Sequence, residues 1–158
     1  MGLDAFATKI VLYGIARLVR ARATTARDTA IVMSNMVGIF AEMGQLEEAM
    51  DAAREAWPFM RRSKKLFLDQ TVYLFWRSGL PKPAARLLGA SDAEVARYGA
   101  PRQPNEQRLM AAARPALATA LGDTEFAACL GSGRSMREGE IHALIAETLA
   151  AAPLPPHR

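Results

Sequence analysis

The sequence predicts an all-α protein of stacked helical hairpins, and three observations point that way. Alanine, leucine, arginine and glutamate dominate while β-branched residues are sparse, and the former lose little rotamer freedom in a helix. Apolar residues recur at intervals of three and four, the spacing of one helix face, and no stretch reads as a strand. A pattern of apolar and small residues also returns after 35 positions. With 158 residues, 51% of them apolar and 23% charged, the chain has the size and balance of one globular domain, which excludes disordered and fibrous classes.

Turn and breaker residues divide the chain into roughly nine helical pieces. The breaks are expected at Thr24-Thr25, Gly44, Trp57-Pro58, Gly79 to Pro83, Gly89 to Asp92, Gly99 to Pro104, Gly122-Asp123 and Gly131 to Ser135. Ser91 with Glu94 and Ser135 with Glu138 have capping-box spacing, so each pair is expected to start a helix. Pro81 and Pro83 fit a first helical turn, where no backbone donor is needed. The proline-rich tail 153–158 cannot extend the last helix and is expected to be disordered.

The recurring pattern has a mechanical meaning. Met33, Met36, Val37 and Phe40 are followed by Gly44 and then by Ala49, Ala53 and Ala56. Leu68, Thr71, Val72 and Phe75 are followed by Gly79 and then by Ala84 and Leu88, each 35 residues after its counterpart. One stripe packs the first helix, glycine permits a tight turn, and small residues let the second helix approach closely. This spacing resembles the W-x2-L-G-x2-Y pattern of the tetratricopeptide repeat, whose period is about 34 residues. Met or Leu, Val and Phe stand in for the consensus types, and the closing proline is absent. The expected architecture is therefore a short tetratricopeptide-like superhelix within one domain, 1–152. Its repeats fall at about 30–58 and 65–91, and a C-terminal helical cap falls at about 92–152.

The last 75 or so residues carry a further likeness. Ala84-Ala85-Arg86-Leu87-Leu88-Gly89-Ala90, then Leu121-Gly122-Asp123-Thr124-Glu125-Phe126, then Gly133-Arg134-Ser135-Met136 and an alanine-rich end appear in order. That order resembles the C-terminal end of large bacterial signal-transduction ATPase regulators. These include LuxR-type and winged-helix transcriptional regulators and cyclase-linked ATPases, where the segment closes a tetratricopeptide-like superhelix. The chain departs from them at Glu140-Ile141-His142, where the family tends to have a Glu-Ala pair. It also lacks their nucleotide-binding and DNA-binding domains, so the resemblance implies a scaffold for sensing, self-association or partner docking and does not carry over their activities.

Charge is unevenly spread about a net +4. Residues 59–89 hold seven cations against Asp69 alone, whereas residues 31–58 hold five acids against Arg54. Arg61, Arg62, Lys64 and Lys65 form a possible anion contact, which leaves a nucleic-acid-associated regulatory fragment as the alternative function. No reading helix or aromatic-studded basic surface accompanies the cluster. Ile10 to Ala16 is far too short to span a bilayer, and no cationic leader precedes an apolar run, so a cytoplasmic protein without membrane attachment is expected.

Catalytic chemistry has few parts to draw on. His142 and His157 are the only histidines and Cys129 the only cysteine; His142 reads as a surface or packing residue and Cys129 as a buried apolar one. Gly133-Arg134-Ser135 reads as a glycine-rich turn, but no G-x-x-x-x-G-K-[ST] motif is present. No nucleophile has a base beside it, so neither an enzyme nor a metal or cofactor is expected. Met33, Met36, Met43 and Met50 read as core filling.

Tetratricopeptide proteins line their concave groove mainly with the first helix of each hairpin. That resemblance places Ser34, Asn35, Gly38 and Ala41, then Asp69, Tyr73, Trp76 and Arg77 in a partner-binding groove. Tyr, Trp and Arg dominate interface energetics, although Tyr73 and Trp76 can equally pack against neighbouring helices. The expected function is a non-enzymatic protein-interaction or sensor scaffold.

Overall fold

The computed structural model describes residues 25–62 and 68–152. Among them run seven helices and no strand: α1 (Ala26–Glu42), α2 (Leu46–Met60), α3 (Leu68–Arg77), α4 (Pro81–Tyr98), α5 (Pro104–Leu121), α6 (Asp123–Arg134) and α7 (Glu138–Ala151). The protein is all-α, and consecutive helices pair as hairpins α1/α2, α3/α4 and α5/α6. The tail 153–158 and the first 24 residues lie outside the described residues.

The first two hairpins turn in the same way. Gly44 takes φ +74°, its N–H donates to Ala41 O at 3.2 Å, and Gln45 N–H donates to Phe40 O at 2.9 Å. Gly79 also takes φ +74°, with its N–H on Trp76 O at 3.1 Å and Leu80 N–H on Phe75 O at 2.9 Å. Both are Schellman closures, in which a left-handed residue turns two donors back onto the last carbonyls of the helix, and glycine adopts that φ without a steric penalty. The matched positions share burial as well. Met33, Met36, Val37, Phe40, Ala49 and Ala53 are buried, and so are Leu68, Thr71, Val72, Phe75, Ala84 and Leu88. Their surroundings differ in one respect: Leu68 lies in the main core, whereas Met33 joins Ala30, Ala56 and Met60 in a smaller cluster at the outer end of the first hairpin.

The helices form two layers. In one, α1 and α5 flank α3, which packs against both. In the other, α2 and α4 do not touch; α7 packs against both and lies between them, and α6 packs on the far side of α4. Ile141, Ile145 and Leu149 give α7 its buried stripe. The ring of Trp57 meets His142 edge-on at 5.4 Å. Arg54 donates to Leu149 O at 3.1 Å and to Ala152 O at 2.9 Å, satisfying carbonyls at the end of α7 that have no helical partner.

Several expected breaks are not breaks. Helix α2 runs through Trp57-Pro58 to Met60. Proline in a helix costs about 3 kcal/mol, but here the buried Ala56 and Met60 pack on Ala30 and Met33 and hold the last turn in place. Helix α4 runs through Gly89 to Asp92, so Ser91 is mid-helix and caps nothing. The reason for a glycine at that point is close packing: a Cβ on Gly89 would collide with the backbone of Leu130, and one on Gly133 with the backbone of Arg86. The two glycines bring α4 and α6 almost backbone to backbone. Gly131 and Arg134 likewise lie in α6, not in a turn. The last helix begins at Glu138, after Arg137, whose N–H donates to Glu140 at 2.7 Å; Ser135 instead ends α6, so the expected Ser135 and Glu138 pair is replaced.

Helix α6 therefore depends on the absence of a methyl group at two places. Gly133→Ala is expected to destabilise the protein by about 2 kcal/mol or more, as overpacking does. Gly131→Ala, on the same helix with nothing near its Cβ position, is expected to be neutral or to stabilise by up to about 1 kcal/mol. Urea denaturation of the two variants measures the contrast, and equal effects would refute the backbone contact.

Candidate functional site: the concave face of α1, α3 and α5

Because α1 and α5 stand on either side of α3, a hollow of about 300 Å³ opens between them. Asn35, Gly38, Ile39 and Glu42 line it from α1, at the spacing of one helix face. Asn105, Arg108 and Leu109 line it from α5, and Gln70 of α3 lies beneath. Glu42 and Arg108 form a two-pronged ion pair across the hollow, with Arg108 Nη2 at 3.2 Å from Glu42 Oε2 and Nη1 on Oε1. Gln70 is buried, and its Oε1 accepts no hydrogen bond.

The residues expected in a groove are divided by the structure. Asn35 and Gly38 line the hollow. Ser34 and Ala41 are fully buried in the interior, and Asp69 and Tyr73 are buried as well. Trp76 and Arg77 are half-buried and form a cluster with Tyr73. The Tyr73 and Trp76 rings meet edge-on at 5.2 Å, the Arg77 guanidinium lies 5.8 Å from one ring centre and 5.9 Å from the other, and Arg77 donates to Tyr73 Oη at 3.2 Å. Such edge and cation–π contacts hold Trp76 and Arg77 in one arrangement, with part of each side chain facing solvent. Of the basic cluster, Arg61 and Arg62 are exposed just beyond α2. Lys64 and Lys65 lie outside the described residues.

Asp69 has a different task from the one expected of it. Its carboxylate accepts from Ser91 Oγ at 2.5 Å and from Arg102 Nε at 2.8 Å. Arg102 Nη2 also donates to Ser91 Oγ and Asp92 Oδ1, both at 2.9 Å. Arg114 of α5 reaches Asp92 at 2.8 Å, and Arg134 of α6 comes within 3.9 Å of it. One network, buried at Asp69 and Ser91 and opening to solvent towards Arg114 and Arg134, thus joins α3, α4, the 99–103 link, α5 and α6, and so fixes where the α5 wall of the hollow stands. The start of α5 is set locally: Pro104 opens it, and Gln103 N–H donates to Glu106 Oε2 at 2.8 Å.

Asn105 and Arg108 escaped the sequence reading because the third hairpin breaks the 35-residue register. The signal was present in Met110, Ala113 and Leu117, a three- and four-residue stripe followed by Gly122. Cys129 is partly exposed, and no group of three or more His, Cys, Asp or Glu side chains among the described residues is arranged to hold a metal ion. No described helix is long and apolar enough to cross a membrane. Comparison of the chain with protein-family models, with curated proteins and with solved structures gave no match.

Burial raises the Asp69 pKa above the usual 3.8, against the opposing pull of Arg102 and Ser91. The folded state then holds this proton more tightly than the unfolded chain does, so the contribution of Asp69 is full below pH 3.8 and is lost as pH climbs through the raised value. Urea midpoints for wild type and Asp69→Asn at a series of pH values are expected to show wild type losing ground to the variant as pH rises towards neutrality. The opposite trend would mean that the Arg102 pair outweighs burial. Arg102→Ala leaves the buried carboxylate alone and is expected to cost on the order of 3 kcal/mol.

Proposed function

We propose that the chain is a non-enzymatic, tetratricopeptide-like scaffold that binds a protein segment or a second copy of itself on the concave face of α1, α3 and α5. One observation supports this most: the first helices of three hairpins stand together and leave between them an open hollow lined by exposed carboxamides and an ion pair. The matched turns at Gly44 and Gly79, with hydrogen bonds offset by 35 residues, favour a repeat origin for the first two hairpins. The acidic side chains Asp69 and Asp92 are occupied by Arg102 and Arg114 within the fold, in keeping with a structural rather than a catalytic use.

The resemblance of the C-terminal segment suggests a cytoplasmic module of a bacterial transcriptional or signalling regulator. In such a module Gly89 and Gly133, which belong to the shared segments, serve the close approach of α4 and α6. Partner contact would extend from the hollow to the half-buried Trp76 and Arg77, whose residue types contribute most where they are held rigid.

Sedimentation velocity on the purified chain, together with affinity capture on the immobilised chain, tests the role. Arg77→Ala and Trp76→Ala, checked for fold by circular dichroism, are expected to weaken self-association or capture about tenfold, the equivalent of roughly 1.4 kcal/mol. Association at wild-type strength in both variants would remove Trp76 and Arg77 from the interface.

A further inference from the structure

We infer that α5 carries, on a second face, a binding site for a small monocarboxylic acid, clamped by Arg102 and Arg114. The inference goes beyond the scaffold role, since neither the groove nor a protein partner enters it. A further hollow of about 300 Å³ is lined by Gln107, Met110, Ala111, Arg114 and Pro115 of α5 and by Arg102 of the link before it. Gln107, Met110, Ala111 and Arg114 have the spacing of one helix face, and it is not the face that carries Arg108 and Leu109.

Two guanidinium groups are held side by side at this hollow. Arg102 Nη2 at 2.9 Å and Arg114 Nη2 at 2.8 Å donate to the same oxygen, Asp92 Oδ1. Arg134 comes within 3.9 Å of the other oxygen, so one carboxylate serves three guanidinium groups. The other acids nearby are turned elsewhere: Asp69 accepts from Arg102 and Ser91 in the interior, and Glu106 accepts from Gln103 N–H at the start of α5. No acid lines the hollow. Like charges held this close repel, and a second anion on the open side offsets that repulsion.

Donors remain for that anion, because a guanidinium group has N–H bonds on all three of its nitrogens. Arg102 uses Nε on Asp69 and Nη2 on Ser91 and Asp92, and Arg114 uses Nη2 on both Asp92 oxygens. Nη1 of Arg102, with Nε and Nη1 of Arg114, makes no hydrogen bond among the described residues, and none of these atoms is enclosed. Both side chains line the hollow, Arg102 with 16% and Arg114 with 39% of its surface exposed.

The rest of the lining selects the kind of anion. Met110, Ala111 and Pro115 offer neither a charge nor a side-chain donor, and Gln107 donates to Arg102 O at 2.8 Å. A single negative charge is met by the unclaimed guanidinium donors, whereas the second charge of a phosphate would face apolar side chains. Carboxylate oxygens match the planar spread of guanidinium N–H groups, and a short alkyl group covers the apolar wall. The volume stands at the low end for ligand sites, which suits a small acid.

Titration of the ¹⁵N-labelled full-length chain with sodium butyrate, at ionic strength held constant with chloride, tests this by NMR. Saturable shifts are expected at the amides of Met110 and Ala111 and at the Nε–H groups of Arg102 and Arg114. Butyramide, the uncharged isostere, is expected to cause none, and phosphate is expected to bind at least about tenfold more weakly than butyrate. Arg114→Gln removes one clamp and Ala111→Glu sets a like charge in the exposed wall; each is expected to weaken butyrate about tenfold or more with the helical circular dichroism unchanged. Shifts that do not saturate, or that persist at wild-type affinity in both variants, would overturn the site. Phosphate binding as tightly as butyrate would overturn the monocarboxylate assignment. Neither result touches the scaffold role, which the self-association and capture measurements decide.

Discussion

The carboxylate of Asp69 and the guanidinium of Arg102 meet where α3, α4 and the start of the third hairpin converge, and the concave face depends on that meeting. Asp69 is buried and Arg102 nearly so. Burial pushes the Asp69 pKa up, against the pull of Arg102 and Ser91. A pair of this kind adds little net stability, but leaving either charge alone inside the protein is costly, so alternative placements of the 99–103 link are disfavoured. The network therefore acts mainly on position. It sets α5 opposite α1, and Asn105, Arg108 and Leu109 take their places along the hollow as a result.

Two other constraints work beside it by different physics. Gly89 and Gly133 admit α6 to near contact with the backbone of α4, a matter of excluded volume. Arg54 and the apolar stripe of α7 draw the chain end back between α2 and α4, so the final helix fills a gap in the second layer. Adding a third layer-filling helix in this way shields the apolar faces that α2 and α4 would otherwise leave open, which a stack of so few hairpins needs.

Much of this was legible in the sequence where local rules decide. The all-helical class, the turns at Gly44 and Gly79 and the buried stripes of the first two hairpins follow from spacing and from glycine's tolerance of positive φ. What was not legible depends on contacts between distant segments. Pro58 suggested a helix end, yet Met60 buried on Met33 keeps the turn helical. Ser91 looked like a cap, yet its hydroxyl is claimed by Asp69 from 22 residues away. Asp69 looked like a groove residue, yet it faces inward because Arg102, 33 residues on, supplies its counter-charge. Asn35 and Gly38 were placed in the groove and line the hollow, but their partners on α5 belong to a hairpin whose register the first two do not announce.

The geometry of the concave face reduces to one proximity, that of α1 and α5 across Gln70. Gly38 and Leu109 come together there although they belong to helices that do not otherwise pack. A carbon-edited NOE spectrum of the isotopically labelled chain measures this directly. A cross-peak between the Gly38 α protons and a Leu109 δ methyl group is expected; its absence, with both resonances assigned and neighbouring helix contacts seen, would contradict the account.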